Sequence, residues 1–183
     1  MWQYNVGVAG GNFPFKKGGL TPEGLSLLEQ MAELWIIWDI SHLNEEGVWQ
    51  GLDLKFPHVC ASHANARSLT PSNRQLSDDM IRAIGERDGV NGLLLYNRFL
   101  EPRWEKDKSI PVSMYEQLQR RANYMADLIG WNHISIGSDL DGGLGLEESP
   151  LEIDTVADLN KIGAVVPLEA RDAVLKLKLV EFP

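Results

Sequence analysis

The chain has 183 residues, 44% of them hydrophobic and 23% charged, a length and balance that fit one globular domain and exclude disordered and collagen-like classes. Seventeen Lys and Arg against 26 Asp and Glu leave a formal charge of −9, which argues against nucleic acid or an anionic membrane as main partner and leaves small or cationic ligands open. The single cysteine, Cys60, cannot close an internal disulfide, so the expected compartment is reducing, in keeping with a cytoplasmic protein.

In chain order, residues 2–5 form a first, short strand candidate. Thr21 and Pro22 then open a helix as N-cap and first helical residue, with Leu25, Leu28, Met31 and Leu34 at three-residue spacing. Residues 34–40 are nearly continuously apolar and rich in β-branched and aromatic side chains, which predicts a strand buried on both faces with Trp35 and Trp38 filling core. Residues 57–63 make the next strand, and Ser77 caps a helix carrying Met80, Ile81 and Ile84. A strand at 89–96 precedes a helix over 113–129, whose Met114, Leu118, Ala122, Met125 and Leu128 share a face and which Gly130 closes. The last strand is 133–138, followed by helices around 153–162 and 168–179. Strands alternating with helices imply parallel βα units in a single domain over residues 1–183. No apolar run approaches the roughly 18 residues of a membrane span, and the first residues lack the basic and apolar regions of a signal peptide.

In parallel βα architectures the functional groups gather at the carboxyl ends of strands. His42, His63, Asn97 and Asp139 each fall at such an end. A lone histidine there is as often an ordinary polar residue as a ligand. Two on adjacent strands, about 4.8 Å apart, can share a metal ion, and Asp139 would bring a carboxylate to the same mouth. That is the layout of a metal-dependent hydrolase barrel, in which metal polarises a carbonyl and acidifies water while a carboxylate moves the proton. His58 has the opposite strand parity to His63 and is read as a structural residue of the helix layer. His133 lies six residues before Asp139, roughly 20 Å down the strand, and is excluded from the site. The segment from Asp139 to Gly142 lacks the third ligand a calcium loop needs before its glycine.

These residues resemble the membrane (renal) dipeptidases of the M19 type, zinc peptidases with a TIM-barrel fold. The resemblance runs in order through Gly19-Leu20-Thr21-Pro22-Glu23-Gly24, Asp39-Ile40-Ser41-His42, Ser62-His63-Ala64-Asn65-Ala66-Arg67, Ser77-Asp78-Asp79-Met80 and Gly137-Ser138-Asp139-Leu140-Asp141-Gly142. It implies that His42 and His63 bind one of two zinc ions and that Asp139 handles the proton near the leaving amine. It also implies that Arg74 holds the carboxylate of a small peptide substrate, a task that suits a planar guanidinium. Three departures stand out. The family begins with a His-x-Asp pair on its first strand and adds a carboxylate bridging the two ions, yet none of His42, His58, His63 or His133 is followed by x-Asp, so at most one zinc is supported. A further active-site histidine of the family is replaced here, with Tyr4 its occupant and a candidate substrate-binding residue, and Gln75 stands where Asn is usual.

A complete (β/α)8 barrel takes about 250 residues. The expected fold is therefore α/β, the carboxyl-terminal four or five βα units of a partial TIM barrel, lacking the amino-terminal part. The expected function is that of a zinc-dependent dipeptidase, a fragment or inactive alone. Two alternatives stay open: another amide or ester metallohydrolase of similar barrel type, and a non-catalytic remnant acting by association. An open barrel wall leaves unpaired strand edges, which predicts self-association as a homo-oligomer.

Overall fold

Thr21 has extended backbone and its side chain accepts the Gly24 amide at 3.1 Å, which with Pro22 in the first turn starts α1 (Pro22–Glu33). The computed structural model describes residues 18–171 apart from 55, 57, 58, 107, 109 and 141. The strand expected at 2–5, Tyr4 with it, His58, and most of the helix expected over 168–179 lie outside the described residues.

The apolar run at 34–40 does not form the long buried strand expected of it. Leu34 ends α1, Trp35 takes the left-handed conformation at φ 58, and the Ile36 amide reaches back to the Met31 carbonyl at 2.9 Å while Trp35 bonds Ala32 at 3.2 Å. This is a Schellman closure with tryptophan where glycine is usual. Helix termination consumes the start of the run, so β1 is only Trp38–Asp39. Leu34, Trp35, Ile36 and Ile37 are 69, 56, 47 and 40% exposed, and of the two tryptophans only Trp38 is buried in the core.

A helix absent from the sequence reading follows: α2 (Glu45–Asp53), capped by the Asn44 side chain on the Gly47 amide at 2.8 Å. Then come β2 (Val59–Ala61), α3 (Asp78–Gly85) capped by Ser77, β3 (Val90–Leu93), a single turn α4 (Asn97–Leu100), α5 (Met114–Ile129) and β4 (Ile134–Ile136). Gly130, at φ 84, ends α5 as expected. The helix expected at 153–162 is instead a 3-10 segment, Val156–Ala164. Among the described residues no helix is long and apolar enough to cross a membrane.

The four strands are parallel and ordered β1-β2-β3-β4. Register partners share a face. Trp38, Val59, Ala61, Leu93 and Ile134 are buried on one face, in a core with Met80, Ile81, Ile84, Leu118, Ala122 and Met125 of α3 and α5. On the other face Asp39, Cys60, Val90 and Ser135 are only partly buried. The described strands are thus an arc of barrel wall, covered by helices outside and partly open on the inner face that leads up to the strand ends.

Candidate active site

The site is assembled where β1 and β2 end. Asp39, on the inner face, accepts the amides of Ser41 and Ser62 at one carboxylate oxygen, each at 3.0 Å, and the Ser62 hydroxyl at the other at 2.5 Å. Ser41 Oγ accepts the His63 amide at 3.1 Å. These bonds stitch two neighbouring strand ends together just below the histidines. The Ser62 backbone then lies across the inner face so closely that β3 and the position just after β4 carry glycine beneath it. A Cβ on Gly92 or on Gly137 would overlap the Ser62 carbonyl. Asp39, Ser41 and Ser62, which join the strand ends that carry the histidines, have no role assigned to them from the sequence. The available signal was the dipeptide Ser-His, repeated at 41–42 and 62–63, with an aspartate two residues before the first copy.

His42, His63, Arg74 and Asp139 come together. The two histidine Nε2 atoms are 2.8 Å apart, and His63 Nε2 is 3.9 Å from an Asp139 carboxylate oxygen. Arg74, from the loop after β2, donates through Nη2 to His42 Nε2 at 3.0 Å and to the His63 carbonyl at 2.7 Å. His42 and Asp139 both have left-handed backbone, at φ 69 and 57, conformations that cost energy in a non-glycine residue and concentrate at functional sites. Gly142 leaves room for the Asp139 carboxylate, which a Cβ would meet.

Both imidazoles are held neutral. Burial, the Arg74 charge and then His63 lower the pKa of His42 to about 4 against an opposing pull from Asp39. Burial and Arg74 lower that of His63, with Asp139 and Asp39 opposing. Burial also lowers Arg74 to about 10, leaving it charged at neutral pH.

Three other polar residues bond within the fold, away from the histidine pair. His133 bonds the Gly89 carbonyl at 2.9 Å, near Asp88, before β4 begins. Asn97 ties the end of β3 to the Ser149 carbonyl at 2.8 Å, and Gln75 accepts the Asn65 amide at 2.7 Å.

The donor set fits one borderline-soft cation on one side. Neutral imidazoles whose Nε2 atoms face each other are zinc ligands in form, and tetrahedral zinc with bonds of about 2.0–2.1 Å sets its nitrogens about 3.3 Å apart, so the pair needs to open by only about half an ångström. Among the described residues no three His, Cys, Asp or Glu side chains converge in a ligating group.

A sequence model of the membrane dipeptidases, peptidase family M19, matches residues 2–164. An uncharacterized protein from the pqqA 5' region of Klebsiella pneumoniae is 31% identical over 162 residues, 88% of this chain and 57% of its own length. The solved dipeptidase AC, a metallopeptidase of family M19, has a TM-score of 0.79 at 29% identity, covering 90% of this chain and 48% of that one. A metallopeptidase from Rhodobacter sphaeroides, liganded with a phosphinate mimic of the dipeptide L-Ala-D-Ala, has a TM-score of 0.77 at 29% identity, covering 90% and 46%. The chain spans about half the length of these relatives, and its parallel strands are a part of their TIM-barrel fold.

Proposed function

Because the chain belongs to the membrane dipeptidase family, peptidase family M19, we propose that it carries one half of a zinc-dependent dipeptidase site. The observation that carries this reading is the pair of neutral histidines with Nε2 atoms 2.8 Å apart, flanked by a guanidinium and a carboxylate. His42 and His63 would hold the ion, which when bound supplies polarisation of the scissile carbonyl and a more acidic water. Arg74 binds the carboxylate of a short peptide. Both of its contacts here use Nη2, so a modest rotation presents the guanidinium fork to a planar carboxylate. Asp139 takes the proton from the attacking water and returns it to the departing amine. The ligands of the family's other zinc, a His-x-Asp pair, are absent from the sequence.

A second reading, a non-catalytic remnant that acts by association, is favoured by the absence of a closed ligand group among the described residues and by the exposed apolar residues at 34–37. One experiment separates the two. The chain is loaded with Zn²⁺, dialysed and assayed for metal and for hydrolysis of L-Ala-D-Ala. The expected result is about one zinc per chain, lost in His42→Ala and in His63→Ala, with little hydrolysis. Adding a segment that supplies His-x-Asp and a bridging carboxylate brings hydrolysis, and Asp139→Asn in that complete form lowers the rate at unchanged zinc content. Undiminished zinc in both histidine variants overturns the site. Complementation without hydrolysis favours the remnant.

A further inference from the structure

Hydrogen positions around His63 follow from counting donors. The Ser62 hydroxyl has one hydrogen. Its 2.5 Å distance to Asp39 Oδ2 lies in the charge-assisted range for O–H···O⁻, and a carboxylate that also takes the Ser41 and Ser62 amides has only acceptance to offer. That hydrogen therefore points at Asp39. Ser62 Oγ also lies 2.7 Å from His63 Nδ1 and 3.3 Å from Ser41 Oγ. With its own hydrogen spent, it accepts from both. His63 Nδ1 carries the proton, and the neutral ring is left with its lone pair on Nε2. On the other ring, Arg74 donates to His42 Nε2, so that atom is also a bare acceptor. The two Nε2 atoms thus meet at 2.8 Å with no hydrogen of their own between them; Arg74 engages the lone pair of His42, and that of His63 is left for a cation to satisfy.

We propose that Asp39, acting through Ser62, is the positioning residue that fixes His63 in the Nδ1–H tautomer and so presents its Nε2 lone pair to a divalent cation. The cation rests on the reading of His42 and His63 as metal ligands; the tautomer does not. Outer-shell partners of this kind orient the ring and raise its basicity, and their loss typically costs 10–100-fold in metal affinity.

The geometry also says which substitution inverts the relay without changing its shape. In Asp39→Asn the amide oxygen must stay on the two backbone amides that Oδ1 now accepts, which turns the NH2 group toward Ser62 Oγ. Ser62 then accepts there, its hydrogen swings to His63 Nδ1, and the ring is driven to the Nε2–H form, which has no lone pair to offer. Ser62→Ala removes the relay outright, whereas Ser62→Thr keeps the hydroxyl.

The test uses the full chain, metal-free and labelled with ¹⁵N-histidine, at neutral pH. Two-bond ¹H–¹⁵N correlation spectra report the tautomer, and competition of Zn²⁺ against a chromophoric chelator reports affinity. The expected parent signature is a pyrrole-type Nδ1 and a pyridine-type Nε2 on His63. Asp39→Asn reverses it and weakens Zn²⁺ by 10–100-fold, Ser62→Ala weakens Zn²⁺ similarly, and Ser62→Thr restores affinity to within a few-fold. Parent His63 in the Nε2–H form overturns the proposal whatever the variants do, and that spectrum needs no variant to fold. An unchanged tautomer in a folded Asp39→Asn chain overturns it as well. A parent with the expected tautomer that takes up no Zn²⁺ supports the relay and refutes the metal reading alone.

Discussion

The close approach of Ser62 to β3 and β4 makes a quantitative demand on two glycines. A Cβ on Gly92 would stand 2.7 Å from the Ser62 carbonyl carbon and 3.1 Å from Gly137 Cα, and one on Gly137 would stand 2.8 Å from the same carbon and 3.0 Å from His63 Cα, with the Ser62 oxygen nearer still in both cases. Carbon–carbon contacts settle at about 3.5–4.0 Å, so Ser62 has to retreat by about 1 Å. It cannot do so cheaply, because its amide and hydroxyl are both bonded to Asp39. Overpacking costs about 1–3 kcal/mol, and a strained or lost hydrogen bond to a charged group about 1.5–3 kcal/mol. Gly92→Ala and Gly137→Ala should each destabilise the chain by about 2.5–6 kcal/mol on that sum. Combining them should cost clearly less than twice that, because both push on one carbonyl that moves only once. Gly145→Ala is the control. Its Cβ also meets an oxygen closely, but that oxygen is the end of the exposed Glu147 side chain, which swings aside, so the change should stay within about 0.5 kcal/mol. Urea unfolding followed by tryptophan fluorescence measures all four. A loss under about 1 kcal/mol at Gly92 or Gly137, or an equal loss at Gly145, refutes the close-approach argument.

Three other perturbations follow from the same arc. Burial, and then Asp39, pushes the Cys60 thiol up to about 12, so at pH 8 its thiolate fraction is on the order of a thousandfold below that of an ordinary thiol. Alkylation by iodoacetamide should be slower than in the denatured chain by at least that factor and rise tenfold per pH unit past pH 9, and a rate within tenfold of the denatured chain contradicts it. Arg121, 1% exposed, donates to the Phe99, Leu100 and Gln117 carbonyls and to Thr70 Oγ1. Arg121→Met should cost about 3–5 kcal/mol in urea unfolding by leaving those acceptors buried and unmet. Ile36→Lys, on the exposed apolar run beside β1, should shift sedimentation of the chain toward monomer with stability unchanged, and a parent already monomeric at the same concentration contradicts the association argument.

What was legible in the sequence was what repeats along one element. Caps at Thr21 and Ser77, the apolar face of α5 and its stop at Gly130 are local signals, and the strand-end histidines follow from the alternation of short apolar runs with helices. What was not legible depends on neighbours. α2 carries Gly47 and Gly51, which read as helix-weakening, yet Gly51 is there because the Trp38 indole lies where a Cβ would be. Residues 34–37 read as strand because apolarity alone cannot tell a strand from a helix terminus. The deciding feature, the left-handed Trp35, has no compositional mark. Asp39 stands in the motif that ends at His42 with no role of its own assigned, since its two further bonds reach a segment 23 positions away.

The physical separation of the stitch from the wall bears on what an arc of barrel can do. The histidine pair depends on neighbouring strands and the loop after β2: β1 carries Asp39, β2 leads into Ser62, His63 and Arg74, and Gly92 of β3 and Gly137 just after β4 shape the floor beneath them. None of these contacts reaches across the barrel, so the pair can form without the opposite wall, and on the proposed zinc reading the affinity of His42 and His63 for metal is a local property. Catalysis is not. On the proposed two-zinc reading, holding a carbonyl, a water and a second ion at fixed separation would need ligands from the far side and a dry interior in which charges act at full strength, while the inner face here keeps Asp39, Cys60, Val90 and Ser135 partly open. Zinc binding and peptide hydrolysis should therefore come apart in this chain, the first surviving in the arc and the second requiring closure of the barrel.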